Sequence, residues 1–560
     1  MDTSRILIAV ILSIGLVFAY QELVLKRMYP PPSQQAGAQP TPGSIGASPS
    51  SAPSFAAASP AAPSTAVTAA TGAGALEGAK GAVAAERLIE VDSDLFRATF
   101  TTRGARLAGF ALKNYRQTSA ANSPWYELVQ PSKEGRLPLG LVIKTDSTMA
   151  DDHELDYTVD APAKVTISGA DQSTLSFKAH ASDGLEITKT FTLSGDKYTF
   201  AMSAAASAPK PPEAIGVSYT EPIGQREGYY DITELQADVQ NKVITAAEKA
   251  LRKGVEPASG TITYAGFGDR YFLGAFLPVA PTTGTLQMEI FGQEASARLL
   301  FAGASSLKTD VYMGPKELKI LESVNPSLNK AIDFGWAGFI ALPLLRALKL
   351  FNRVVPNWGW DIILLTILIR ILTLPMSIKA QRSMLKMQRL QPQVERLRAQ
   401  FKDDPDKLNR EMMDLYKRNH VSPLGGCAPT AIQLPVFIGL YEALLNAVDL
   451  RHSGFIFWIK DLSAPDCLPV SWIPQLPFMH CQGIPVLVLL MGLSTYVQQW
   501  MSPTSPDPNQ QKMMMLTPII FTVMLVNFPA GLSLYYFSSN VLGVIQQFVL
   551  NREFKNAPVS

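Results

Sequence analysis

The chain has 560 residues and a net charge of +2, with 47% hydrophobic and only 17% charged residues, against about 25% charged in an ordinary soluble domain. That balance excludes a nucleic-acid-binding protein driven by overall charge and points to a chain with much of its length in lipid. Three cysteines are too few for a disulfide-built scaffold.

In chain order, residues 6–25, "ILIAVILSIGLVFAYQELVL", approach the roughly 20 apolar residues a bilayer crossing needs. Two readings stand, an anchor over 1–28 or a cleaved signal peptide, since Val17 and Ala19 offer a small-residue cleavage site. Residues 29–85 are rich in Ala, Pro, Ser and Gly and cannot bury enough surface to order themselves, so they predict a disordered linker. From 86 to 330, runs such as "STLSFKAH", "LEITKTFTL" and "KYTFAMSA" alternate with period two between turn residues. That pattern predicts a large antiparallel β-sandwich domain without a nucleophile motif or metal-ligand spacing.

Residues 334–356 place Arg346, Lys349 and Arg353 on one helical face, which predicts an amphipathic helix at the membrane surface or, alternatively, one packed on the β-domain. Five apolar spans then follow between 357 and 550, near 357–375, 428–449, 484–502, 513–528 and 530–550. With the first anchor they give six transmembrane helices, and the tight turn at Pro529, Ala530 and Gly531 makes the last two a hairpin. Loop 376–420 carries five more bases than acids, whereas loop 450–483 has only Arg451 and Lys460. The positive-inside rule puts 376–420 in the cytoplasm, with both termini, including the short tail 551–560, and puts the β-domain and loop 450–483 outside.

The cytoplasmic loop repeats apolar residues at steps of three and four on either side of "KDDPDK", which predicts two antiparallel helices. Its bases, among them Lys379, Arg382, Lys386, Arg389, Arg396 and Arg398, either solvate a plain hairpin or offer a docking site to a ribosome, a targeting factor or acidic lipid. Within the span "WDIILLTILIRILTLP" stands Arg370, sharing a face with Thr366 and Thr373. A central membrane arginine costs roughly 2.5 to 3.5 kcal/mol, so either it snorkels to the nearby cytoplasmic end or the span borders a wet recess. Gln433, Tyr535 and Tyr536 add polar groups to neighbouring spans, and such groups face a bundle interior or cavity. Cys467 and Cys481 lie together in the outer loop; a disulfide there would close a loop of about 15 residues and contribute roughly 3 kcal/mol, the alternative being two free or buried thiols.

"NHVSPLGGCAPTAIQLPVFIGLYEAL", "DLSAPD", "QWMSPTSPDPNQQKMMM" and "FPAGLSLYYFSSNVLGVIQQ" closely resemble the YidC membrane-protein insertases of Gram-negative bacteria. The resemblance implies a multi-span α-helical protein of the inner membrane: a five-helix insertase core with a large periplasmic β-sandwich. It also implies a hydrophilic groove through which segments of nascent membrane proteins enter the lipid, alone or with the Sec translocon. It implies no enzyme activity, no cofactor, no metal and no specific nucleic acid. The family's groove arginine matches Arg370, its threonine one turn earlier Thr366, and its groove tyrosine Tyr536. Strongly basic tails are common in relatives, whereas this chain stops at "NREFKNAPVS", which leaves the hairpin 376–420 as the better ribosome contact. The competing classes are a solute transporter and an assembly scaffold built on the β-domain.

Overall fold

The computed structural model describes residues 74–76 and 85–556, less short stretches at 121, 131, 133–134, 146–147, 182–183, 224–232, 403, 420–427, 471, 473–478, 480–481 and 502–507. The expected anchor 1–28 and most of the linker 29–85 lie outside these residues. One part of the linker departs from the expectation of disorder: Gly74 and Ala75 pair in parallel with Ala150 and Asp151, and Leu76 is buried. A short apolar pair beside an open strand edge gains ladder hydrogen bonds that composition alone does not reveal.

The alternating runs form strands as expected. Leu175, Phe177 and Ala179 point inward from Gln172–His180, and Ile187, Lys189, Phe191 and Leu193 do so from Glu186–Ser194. Among the described residues a fifteen-stranded, almost wholly antiparallel sheet folds on itself, with a five-stranded sheet against it. Strand Ala258–Gly268 makes the corner: its first residues pair with Thr283–Phe291 and its last with Phe272–Ala280 and Glu234–Val239. The layers meet through aromatic rings. Tyr219 lies 6.1 Å from both Phe267 and Phe276, while Phe100 of the smaller sheet lies 4.9 Å from Phe191. Gly274 is required where it stands, because a Cβ there would run into the Tyr219 ring.

One inward position, Lys189, breaks the apolar pattern and is satisfied by a buried charge cluster. Its ammonium donates to the carbonyls of Gly104 (2.7 Å) and Leu139 (3.0 Å) and pairs with Asp152 at 2.6 Å. Arg106 pairs with Asp151 and, at 2.9 Å, with Asp152. Burial alone drives the Asp151 carboxyl upward, but Arg106, then His153 and Arg136, override it and hold the carboxyl well below the usual range. A carboxylate so depressed stabilises the fold above the 3.8 of a free aspartate and loses that contribution as pH falls below it. The unfolding midpoint of the β-domain, followed by circular dichroism, is therefore expected to hold near neutrality and drop below about pH 4; an unchanged midpoint there would contradict the cluster's role.

Among the described residues, the helices from Gly338 onward are labelled here α1 (Gly338–Asn352), α2 (Trp358–Arg389), α3 (Gln391–Gln400), α4 (Pro405–Arg418), α5 (Ala428–Leu445), α6 (Val486–Met501), α7 (Pro508–Leu525) and α8 (Ala530–Asn556). Helix α2 does not end at Pro375 but runs on to Arg389, so the first arm of the expected hairpin is the end of α2 followed by α3. Proline costs a helix one hydrogen bond but does not stop it when neighbours support it, whereas Pro392 at the start of α3 fixes the break at Leu390. Leu390, Val394 and Tyr416 then close α3 onto α4. The tail is also shorter than expected, since α8 continues to Asn556.

Helix α1 packs along α5, with Ala341, Leu345 and Leu348 buried. Its Lys349 is turned toward the β-domain, 3.1 Å from Glu317 and 2.8 Å from Asp449 on the turn after α5, while Arg346 and Arg353 stay exposed. Arg451 makes the second tie: it donates to the carbonyls of Arg116 (2.6 Å) and Gln117 (3.1 Å), and its guanidinium stands 4.8 Å from the centre of the Tyr126 ring. Arg451→Ala is expected to weaken this junction by roughly 1–2 kcal/mol, seen as faster amide exchange in the Trp125–Glu127 strand; unchanged exchange would mean that Lys349 alone holds it.

By length and composition, α2 is the one described helix fit to cross a bilayer; Gln433–Leu445, Val486–Met501 and Met515–Leu525 are shorter apolar helices. The six spans expected from sequence are therefore not counted by this measure. Helices α7 and α8 touch near their turn, with Phe521 5.0 Å from Tyr536, but α6 packs along both of them. The helical region exposes a broad apolar surface that includes Leu372, Leu493, Trp500, Ile519, Val523 and Phe548, far more than a soluble domain tolerates.

Candidate functional site: a polar seam between α2, α5, α6 and α8

Arg370 sits midway along α2 and reaches α8. Its Nε donates to Ser539 Oγ at 3.1 Å, and its Nη2 donates to Ser539 Oγ at 2.8 Å and to the Ser539 carbonyl at 2.6 Å. No carboxylate is among these partners. The charge is thus held by neutral oxygens, which fix the guanidinium without cancelling it. Gly543, one turn beyond Ser539, leaves the needed room: a Cβ there would come within 3.1 Å of Arg370 Nη2 and would collide with Gln498 of α6.

The other expected site residues divide into two groups. Gln433 of α5 donates to the Tyr535 hydroxyl of α8, and Tyr536 packs edge-on to Phe437 (6.1 Å) and tilted against Phe521 (5.0 Å). Thr366 and Thr373 turn back on their own helix, donating to the carbonyls of Ile362 (2.7 Å) and Ile369 (2.9 Å). Their hydroxyls are satisfied locally, so Arg370 carries the polarity of that face.

Asn540 was not among the expected site residues. Buried on α8, it donates to Thr495 Oγ1 at 2.7 Å and Ser494 Oγ at 3.1 Å on α6. The neighbouring hydroxyls at 494 and 495 inside an apolar run were the signal available in the sequence.

Between α2 and α8, a groove of about 420 Å³ runs from Arg370 past Ile371, Leu374 and Ile378 to Arg382, with Ile545 and Gln546 on the facing wall. Arg382 thus joins the site from below, while Lys379, Lys386 and Arg389 continue along the same helix and Arg396 and Arg398 belong to α3. In loop 450–483 Cys467 is disulfide-bonded; Cys481 lies outside the described residues.

The family model described as the YidC periplasmic domain matches residues 88–347, and the one described as the 60Kd inner membrane protein matches 350–557. Proteins curated as membrane protein insertase YidC match over nearly the whole length: that of Geotalea daltonii is 33% identical over 98% of this chain and 99% of its own. The chain belongs to the YidC insertase family. The YidC of Syntrophobacter fumaroxidans is 34% identical over 82% of this chain and 86% of its own. A crystal structure of an active YidC insertase with its first transmembrane domain resolved covers 84% of this chain at 19% identity, with a TM-score of 0.36. Family membership places this chain among inner-membrane proteins with a β-rich periplasmic domain.

Proposed function

We propose that the protein inserts apolar segments of nascent membrane proteins into the inner membrane, using the seam at Arg370 as the entry point. The observation that carries this reading is a guanidinium on the apolar helix α2 with neutral partners only, beside an apolar groove. Burying an incoming span is itself downhill; the obstacle is the polar flank, and a fixed positive charge lowers it for an acidic flank. Six spans, cytoplasmic termini and a periplasmic β-domain fit the charge of loop 376–420.

In the same reading the bases from Lys379 to Arg398 meet a ribosome or targeting factor, the Sec translocon shares some clients, and Cys481 is the disulfide partner of Cys467. The family does not favour a solute transporter or a pure scaffold. Purified protein in liposomes, given a single-span client and no nucleotide, is expected to insert it. Empty liposomes matching that yield would remove the reading.

A further inference from the structure

A second cavity, of about 300 Å³, lies where the β-domain hands over to the helices, lined by Gln236, Thr245, Tyr264, Lys330 and Asp333 among others. Strand register builds its floor. Val243, Asp238 and Tyr264 stand in one row across three strands, and Thr245 and Gln236 in the next. Three polar atoms at this floor are buried without a partner: Gln236 Oε1 and the Tyr264 hydroxyl on the lining itself, and Asp238 Oδ1 on a fully buried side chain beside it. Each such atom costs about 1–3 kcal/mol when left unsatisfied, and three together at a cavity wall mark a place prepared for a donor-rich guest.

The chemistry of the guest follows from what these atoms can do. The amide and carboxylate oxygens only accept, and the phenol oxygen can accept as well. Burial and the Asp238 charge push the Tyr264 phenol up, so it stays a hydroxyl. A primary ammonium offers three N–H donors to three acceptors. The protein already holds one near there: Lys330, on the short 3-10 turn Pro326–Ala331, places its ammonium 2.8 Å from Asp238 Oδ2, while its side chain remains 37% exposed and free to swing away.

The mouth is close to the level expected for lipid headgroups. The Asp333 carbonyl accepts from Asn446, the residue after α5, at 3.1 Å, and the exposed Trp336 and Phe339 follow directly at the start of α1. We propose that this cavity binds an ethanolamine-type primary ammonium, with Asp238, Gln236 and Tyr264 as acceptors and Lys330 as the internal occupant it displaces. The amine comes from a lipid headgroup or from a free small molecule; only the lipid source rests on the membrane reading above.

The test is calorimetric titration of the full chain in detergent with ethanolamine and with choline, whose quaternary nitrogen has no N–H. Ethanolamine is expected to bind about tenfold or more tightly than choline, given the worth of a charged hydrogen bond. Tyr264→Phe and Asp238→Asn should weaken it, and Lys330→Met should strengthen it by removing the competitor. Tyr264→Phe should not lower the unfolding temperature, because its hydroxyl has no partner to lose and its removal relieves an unsatisfied buried group. Native mass spectrometry separates the sources: retention of phosphatidylethanolamine over phosphatidylcholine, competed by ethanolamine, identifies the headgroup, and ethanolamine binding without that preference identifies the free amine. Equal binding of the two amines, binding of neither, or weaker binding in Lys330→Met would overturn the proposal. None of these readouts depends on insertion, so failure here and failure of the insertase reading remain separate.

Discussion

Arg370→Ala is expected to lower insertion of a single-span client with an acidic outer flank by at least about tenfold, while Arg370→Lys retains most of it. An opposite charge at about 4 Å and an effective dielectric near 20 gains roughly 4 kcal/mol before desolvation, more than enough for that loss. Lysine keeps the charge but not the two-pronged grip on Ser539 Oγ and the Ser539 carbonyl, so its activity should fall modestly. A client with a neutral flank should be nearly indifferent to both changes. Equal yields from all three proteins with the acidic client would assign the work to the groove's shape rather than to its charge.

Arg106→Ala is expected to destabilise the β-domain by about 3–5 kcal/mol, the usual cost of breaking a buried ion pair on one side. It removes the shared cation of Asp151 and Asp152, each at most 2% exposed, leaving Asp152 with Lys189 and Asp151 with His153. Calorimetry should show the β-domain transition moving down by many degrees while insertion at low temperature persists, because Arg106 belongs to the smaller sheet's strand Arg106–Arg116 and its partners, Leu137, Asp151 and Asp152, lie in the β-domain. Loss of insertion in a folded Arg106→Ala protein would tie the β-domain to the chemistry.

Much of this architecture is legible in the sequence because it rests on local periodicity. The inward side chains of Gln172–His180 follow strict alternation, and Arg370 stands out as a lone cation in an apolar run. What eluded sequence reasoning is pairing across distance. Ser539 meets Arg370 across 169 residues, and Arg106, Asp152 and Lys189 converge from separate strands. Thr366 and Thr373 show the opposite limit, since a hydroxyl that bonds its own helix and one that faces a groove have the same spacing. The continuation of α2 beyond Pro375 likewise depended on tertiary support that propensity does not encode.

The most direct test of the central claim is to place a photo-crosslinking residue at Tyr536, at Ile545 or, as a control, at exposed Val279 of the β-domain, and to trap a ribosome-stalled client during insertion. Crosslinks from 536 and 545 but not from 279, fading as the client is lengthened and released into lipid, are the predicted result. Crosslinks confined to 279, or none from 536 or 545 while the client still inserts, would place the insertion path elsewhere.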